Sequence, residues 1–216
     1  MKVLLLEGLD NVGKSTLAGE LIARYKNKYN ILFMHSRSPK PQEGVDPLTY
    51  QTAEFVTKAD IVANIAKREI SKDHPLSETL CIFDRSWLDE YVYGQIYRKE
   101  SSLDVLNMIK LCFRCLTYEE LANNVDVAAV FLEAAPEFSI AKDDGKSFTS
   151  NIADYDKKLV QVVREKNLFL SVLNICDMMN LCKTVTVNVQ DEDNYRPLDD
   201  IIKDLNKQLL SKGIEL

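Results

Sequence analysis

The chain of 216 residues is short of the features that mark fibrous, disordered, secreted and membrane-spanning proteins. Glycine contributes only 7 residues and proline 6, which excludes collagen-like and low-complexity classes. No internal repeat or biased linker is visible. The longest apolar runs, Lys2 to Glu7 and Val127 to Leu132, fall far below the roughly 18 residues that cross a bilayer. The first of them meets Glu7 and Asp10 almost at once, which is unlike the apolar centre of a secretion signal. Cysteines are few and odd in number: Cys81, Cys112, Cys115, Cys176 and Cys182 sit mostly in apolar surroundings and read as buried reduced thiols of a cytoplasmic protein. Cys112-x-x-Cys115 lies in a helical pattern with no second pair, and His35 and His74 are the only histidines, so a zinc or redox site is not indicated. An excess of positive charge is also missing. The chain has 27 basic and 33 acidic residues, a net −6, and therefore no general field to attract nucleic acid or an anionic membrane. Any anion must be bound locally.

Against these absences, 46% of residues are hydrophobic and 28% charged, the composition of one folded domain spanning 1–216. Apolar runs alternate with helical periodicity. Lys2 to Leu6, Ile31 to Met34, Leu80 to Phe83, Val127 to Leu132 and Val185 to Val189 read as strands. Helices are expected after Gly13, over about 52–72, after Ser102, over 152–163 and 167–179, and after Pro197. Short unalternating strands separated by helices predict a three-layer α/β/α sandwich around about five parallel strands. Ligands in such sheets bind beyond the carboxyl ends of the strands.

Gly8-Leu9-Asp10-Asn11-Val12-Gly13-Lys14-Ser15 matches G-x-x-x-x-G-K-[ST] between a strand and a helix. The glycines let successive amides point into one cavity, and the helix N-terminus adds about half a positive charge. Gly8, Asn11, Val12, Gly13, Lys14, Ser15 and Thr16 thus form an expected ATP site, with Lys14 on the β- and γ-phosphates and Ser15 on Mg²⁺. Asp84, where an apolar strand ends, stands where phosphate-loop proteins place a second Mg²⁺ group. Arg85 follows it and carries the fork that grips phosphate; the competing readings are a helix cap for Asp84 and a surface pair with Asp89 or Glu90 for Arg85. Thr57-Lys58-Ala59-Asp60 imitates a guanine-recognition signal but falls in a helical stretch before the Asp84 strand, so a GTPase switch is not indicated.

Glu7-Gly8-Leu9-Asp10-Asn11-Val12-Gly13-Lys14-Ser15-Thr16 resembles the E-G-x-D-x-x-G-K-[ST]-T of the thymidylate kinase family, among the phosphate-loop (P-loop) nucleoside and nucleotide kinases. Asp84-Arg85-Ser86 with Tyr93 downstream is similar to its D-R-Y and A-Y-Q, with Ser86 for the aromatic and Gly94 for the glutamine. Phe131-Leu132 and Pro136-Glu137 look like the strand and turn before the family's lid, here near 138–152. The resemblance implies a P-loop NTPase-type fold and a homodimer. It places Asp10 on the acceptor's sugar hydroxyl, Arg85 and Arg37 on its phosphate, Asp84 on the metal, Tyr93 at the acceptor, and Lys142 and Lys146 as lid cations over the transferred group. Ala59-Asp60 resembles the family's A-[DN]-R, but Ile61 stands at the arginine that reads thymine. Phe55 or Tyr50 would stack on a base, with core packing the other role open to Phe55.

The acceptor decides whether a base is needed. A nucleoside 5′-hydroxyl must lose a proton to a carboxylate, the role of the Glu of an E-P pair after the second strand in nucleoside kinases; this chain has Ser38-Pro39 there. A monophosphate, with its second pKa near 6, is already largely dianionic at neutral pH. The expectation is therefore a Mg-ATP-dependent deoxynucleoside monophosphate kinase, with dTMP the first acceptor to test. A deoxynucleoside kinase using Glu7, Glu43 or Asp84 as base and a non-enzymatic nucleotide switch are the alternatives.

Overall fold

The computed structural model describes residues 1–36, 44–70, 79–117, 121 and 123–216. The unalternating runs become five parallel strands: β1 (Lys2–Glu7), β2 (Asn30–His35), β3 (Thr79–Asp84), β4 (Asp126–Glu133) and β5 (Lys183–Asn188), in the order β2-β3-β1-β4-β5. β1, β3 and β4 are buried along nearly their whole length, which is why Leu4-Leu5-Leu6 and Leu80-Cys81-Ile82-Phe83 show no polar alternation. Leu6 pairs with Asp84 on one side and with Val130 on the other. The carboxyl ends of the three central strands therefore lie close to level, and the segments that leave them share one edge.

The helices are α1 (Lys14–Tyr25), α2 (Pro47–Ile70), α3 (Leu88–Tyr93), α4 (Ser102–Leu116), α5 (Pro136–Ala141), α6 (Tyr155–Met178) and α7 (Leu198–Ser211). One turn of π-helix, Gly94–Arg98, links α3 to α4, and a small antiparallel hairpin of β6 (Gln190–Asp191) and β7 (Asn194–Tyr195) precedes α7. α1 packs on β1, β3 and α7; α4 packs on α2 and α3; α3 and α5 pack on α6. Both α6 and α7 reach β5. The result is the expected three-layer α/β/α sandwich of the P-loop NTPase type. Trp87, fully buried, packs edge-on to Phe83 at 5.2 Å and Phe113 at 5.4 Å, joining the end of β3 to α4.

Several elements differ from the sequence expectation: the short helices α3 and α5 were not anticipated, and β5 covers Lys183–Asn188 rather than Val185 to Val189. The two helices expected over 152–163 and 167–179 are one, because Val162, Phe169, Val172, Leu173 and Cys176 keep the 3–4 spacing across Asn167, which is exposed. Its start is capped by Asp154, whose Oδ1 accepts from the Lys157 amide at 3.2 Å. α2 begins at Pro47 rather than Thr52, since Asp46 accepts from the amide and hydroxyl of Thr49 at 2.9 and 3.0 Å and proline suits the first helical position. The hairpin was not anticipated, because two-residue strands carry no periodicity. Thr57 to Asp60 lies within α2. All five cysteines are free thiols, and among the described residues no helix is long and apolar enough to cross a membrane.

Candidate nucleotide-binding site

The loop between β1 and α1 takes its shape from two glycines. Gly8 has φ 141° and a Cβ there would meet Leu132 O at 2.8 Å; Gly13 has φ 90°, in the left-handed region that favours glycine. Lys14 is only 6% exposed, and its ammonium donates to the carbonyls of Gly8 and Leu9, both at 2.7 Å. Burial, followed by the charge of Arg85, lowers its pKa. The loop is braced from two other elements: Ser139 of α5 donates to Asp10 O at 2.7 Å and Tyr195 of β7 donates to Asn11 O at 2.5 Å.

Asp84 stands at the end of β3, beside Ser15. It is 2% exposed, and its Oδ2 accepts from Ser15 Oγ at 2.6 Å and lies 3.0 Å from His35 Nδ1. Its Oδ1 is buried with no hydrogen-bond partner among the described residues. A bare carboxylate oxygen next to a hydroxyl is a hard, all-oxygen donor set, which fits Mg²⁺. Among the described residues no group of three or more His, Cys, Asp or Glu forms a cage; Mg²⁺ characteristically takes one or two protein oxygens and fills its octahedron with phosphate and water.

Arg85 takes different partners. Its φ of 67° is left-handed, its amide donates to Leu6 O at 3.3 Å, and its guanidinium bonds Asp10 Oδ1 at 2.5 Å, lies 3.9 Å from Asp89 and sits 5.7 Å from the Tyr93 ring. Burial opposes the Arg85 charge, but Tyr93, Asp89 and Asp10 hold its pKa above the usual value. Behind it, Ser86 Oγ donates to Glu7 Oε1. Glu7 is fully buried, and burial together with neighbouring Asp89 pushes its pKa well up. Tyr93 stacks on Phe148 at 5.0 Å and on Tyr97 at 6.1 Å, with Phe148 on Tyr97 at 4.5 Å. Tyr97 donates through its hydroxyl to Glu165 Oε1 of α6, whose pKa burial pushes up to about 7. The Tyr93 hydroxyl is buried without a partner among the described residues.

Several of the residues singled out from the sequence thus converge: Lys14 sits within the loop, Ser15 meets Asp84, and Asp10, Arg85 and Tyr93 form the adjoining wall. Phe55, for which base stacking and core packing were both open, packs in the core, with the Lys58 ammonium 5.7 Å over its ring. Lys142 lies 5.4 and 5.7 Å over the rings of Phe138 and Tyr195, and so beside the loop that Tyr195 braces. Lys146 is 84% exposed and pairs with Asp144 at 2.8 Å. Ile61 is also exposed. Arg37 and Glu43 lie outside the described residues.

The motifs did not announce His35, Asp89, Tyr97, Phe148, Glu165 or the β6–β7 hairpin as parts of this site. Tyr93 and Tyr97, four apart, were a legible signal for a shared face. The hairpin, by contrast, helps to wall a cavity of about 230 Å³ with Val12, Gly13, Thr16, Leu132, Tyr195 and Arg196, and only the fold brings it there.

Sheet order and loop define the class: the chain has the fold of the P-loop NTPases. No protein-family model matches the chain, and no curated protein matches it in sequence. Among solved structures it is similar to the YorR protein of Bacillus subtilis in complex with phosphorylated GDP, at 16% identity and a TM-score of 0.52 over 98% of this chain and 97% of that one. It is also similar to the deoxyadenosine kinase of M. mycoides with products dCMP and a flexible dCDP, at 15% identity and a TM-score of 0.48 over 98% and 100% of the two chains. At such identities the likeness concerns the fold, and only the first score is high enough to carry weight.

Proposed function

We propose that the chain is a single-domain, Mg²⁺-dependent phosphotransferase that moves the γ-phosphoryl group of ATP to a deoxynucleoside monophosphate, a reading supported by the resemblance of its Glu7 to Thr16 segment to the thymidylate kinase motif. One observation supports this reading: Ser15, in the same loop as the buried Lys14, meets Asp84 at 2.6 Å, while the very next residue, Arg85, pairs instead with Asp10. Two neighbouring residues thus take different partners within one site. Phosphoryl transfer needs positioning and charge stabilisation more than covalent chemistry.

In this reading the amides of Gly8 to Thr16 cradle the donor phosphates, and Lys14 exchanges the carbonyls of Gly8 and Leu9 for β- and γ-oxygens. Ser15 and Asp84 hold Mg²⁺, which when bound neutralises charge on those oxygens. The donor base occupies the cavity under Tyr195 and Arg196. Arg85, with Arg37, grips the acceptor phosphate; Asp10 takes a sugar hydroxyl and Tyr93 supplies an aromatic wall. Residues near 138–152 act as a lid, with Lys142 and Lys146 closing over the transferred group to exclude water. A cytoplasmic homodimer belongs to the same reading.

A specific observation favours a second acceptor. Asp89 and Glu7 are buried together next to Arg85, and a carboxyl pair there would take the proton from a nucleoside 5′-hydroxyl. Incubation with Mg-ATP and a panel of deoxynucleosides and their monophosphates, followed by ADP release, separates the two. The expected result is turnover with monophosphates, dTMP included. Turnover with nucleosides alone selects the second reading, and ATP binding without transfer to any acceptor selects a nucleotide switch.

A further inference from the structure

We propose that His35 is a positioning residue for the cation site, holding the Asp84 carboxylate in one orientation beside Ser15; this rests on the reading that Ser15 and Asp84 hold Mg²⁺. His35 and Asp84 are register partners at the ends of β2 and β3, and the backbone beyond them is tied by the Ser36 amide, which donates to Asp84 O at 3.2 Å. From α2, Lys58 adds bonds to His35 O at 3.4 Å and to Ser36 Oγ at 2.9 Å. The imidazole is thus carried on a pinned strand end and not on a free loop.

A carboxylate can only accept hydrogen bonds, so the 3.0 Å contact to Oδ2 requires the hydrogen on His35 Nδ1. Oδ2 then has two donors from two directions, Ser15 from α1 and His35 from β2. Oδ1 has none and is buried. With Ser15 as sole donor, the carboxylate could turn about Cβ–Cγ and tilt away from the loop. The second donor, fixed by the sheet, holds the plane of the group, with one oxygen bonded from both sides and the other left without a donor among the described residues. Groups that orient metal-binding carboxylates in this way are worth about 10- to 100-fold in metal affinity or activity.

The test measures ATP affinity by calorimetry in EDTA and at graded Mg²⁺, with the half-saturating Mg²⁺ for turnover alongside, in wild type, His35→Ala and His35→Asn. The side chain is 39% exposed, so the fold should tolerate both changes; His35→Leu, which fills similar space without a donor, stands in if alanine compromises folding. The expected result is ATP affinity in EDTA within about twofold of wild type for every variant, and a half-saturating Mg²⁺ raised about tenfold in His35→Ala and His35→Leu. His35→Asn, whose amide nitrogen takes the place of Nδ1, should return to within about threefold. An unchanged Mg²⁺ requirement in the donor-less variants, or an asparagine variant no better than alanine, overturns the role of His35 while the phosphotransfer reading stands. A wild-type protein whose ATP affinity gains nothing from Mg²⁺ overturns both.

Discussion

The two walls of the site are assembled over different distances along the chain. On the loop side, Lys14 finds its acceptors five and six residues away, in Leu9 and Gly8, and one glycine-rich segment supplies the amides and the lysine, with Asp84 added from β3. On the Arg85 side, the contact with Asp10 spans 75 residues, Ser86 to Glu7 spans 79, and Tyr97 to Glu165 spans 68. The first wall is local geometry at a helix start, so its parts keep fixed spacing. The second is a meeting of β1, α3, the π-turn, the segment after α5 and α6, and it depends on the whole fold being in place.

Substitutions sharpen that contrast. The largest effect is expected for Lys14→Ala, which should lower turnover by about 10³-fold; near-normal turnover would refute its assignment. Arg85→Ala comes next. It should raise the acceptor KM by about 10- to 100-fold, the worth of a charge-assisted hydrogen bond, with ATP affinity by calorimetry unchanged. Equal losses for donor and acceptor would show that the two walls are not separable.

A smaller effect concerns Glu165, whose carboxyl pKa burial raises from the ordinary 4.5 to about 7. Below pH 4.5 it is protonated in both folded and unfolded chains. Between 4.5 and 7 the folded protein keeps a proton that the unfolded chain has released, so stability from this group is lost as pH rises through that window. Glu165→Gln keeps an acceptor for Tyr97 and has no such loss. Urea melts across pH 4.5 to 8 should therefore show wild type falling relative to the variant, by up to about 3 kcal/mol; parallel profiles would mean that Glu165 is ionised throughout. The smallest effect on stability is expected for Lys146→Ala, about 0.5 kcal/mol, since its ammonium is exposed and pairs with Asp144; as a lid cation it should still lower turnover by about 10-fold. Unchanged turnover would show that the lid does not bring it onto the phosphates.

The same division explains what could be read in advance. The three central strands were legible because a buried strand must be apolar along its whole length, as Leu4-Leu5-Leu6 is; the edge strands β2 and β5 are half-exposed, and were legible from their apolar and β-branched residues. The loop was legible because its amides and its lysine come from consecutive residues. Asp84 and Arg85 were legible as punctuation at a strand end. What escaped was partnership. Nothing at position 165 of a long amphipathic helix says that its carboxylate will meet a tyrosine from a π-turn, and Phe148 looks like any aromatic in a polar segment until Tyr93 and Tyr97 are placed beneath it. His35 is visible only once β2 is known to lie beside β3.

The left-handed backbone at Arg85 has one more consequence. A side-chain-bearing residue in that conformation is disfavoured by about 1 kcal/mol or more. Glycine would adopt it without strain but would bring no cation. By accepting the strain, the chain gives two successive side chains different partners, Ser15 and His35 for Asp84 and Asp10 for Arg85, with their Cα atoms about 3.8 Å apart. The gap between the groups proposed for donor and acceptor is then a covalent constant, insensitive to how the surrounding loops breathe, and an insertion of a single residue between 84 and 85 would throw both ends of the reaction out of line at once.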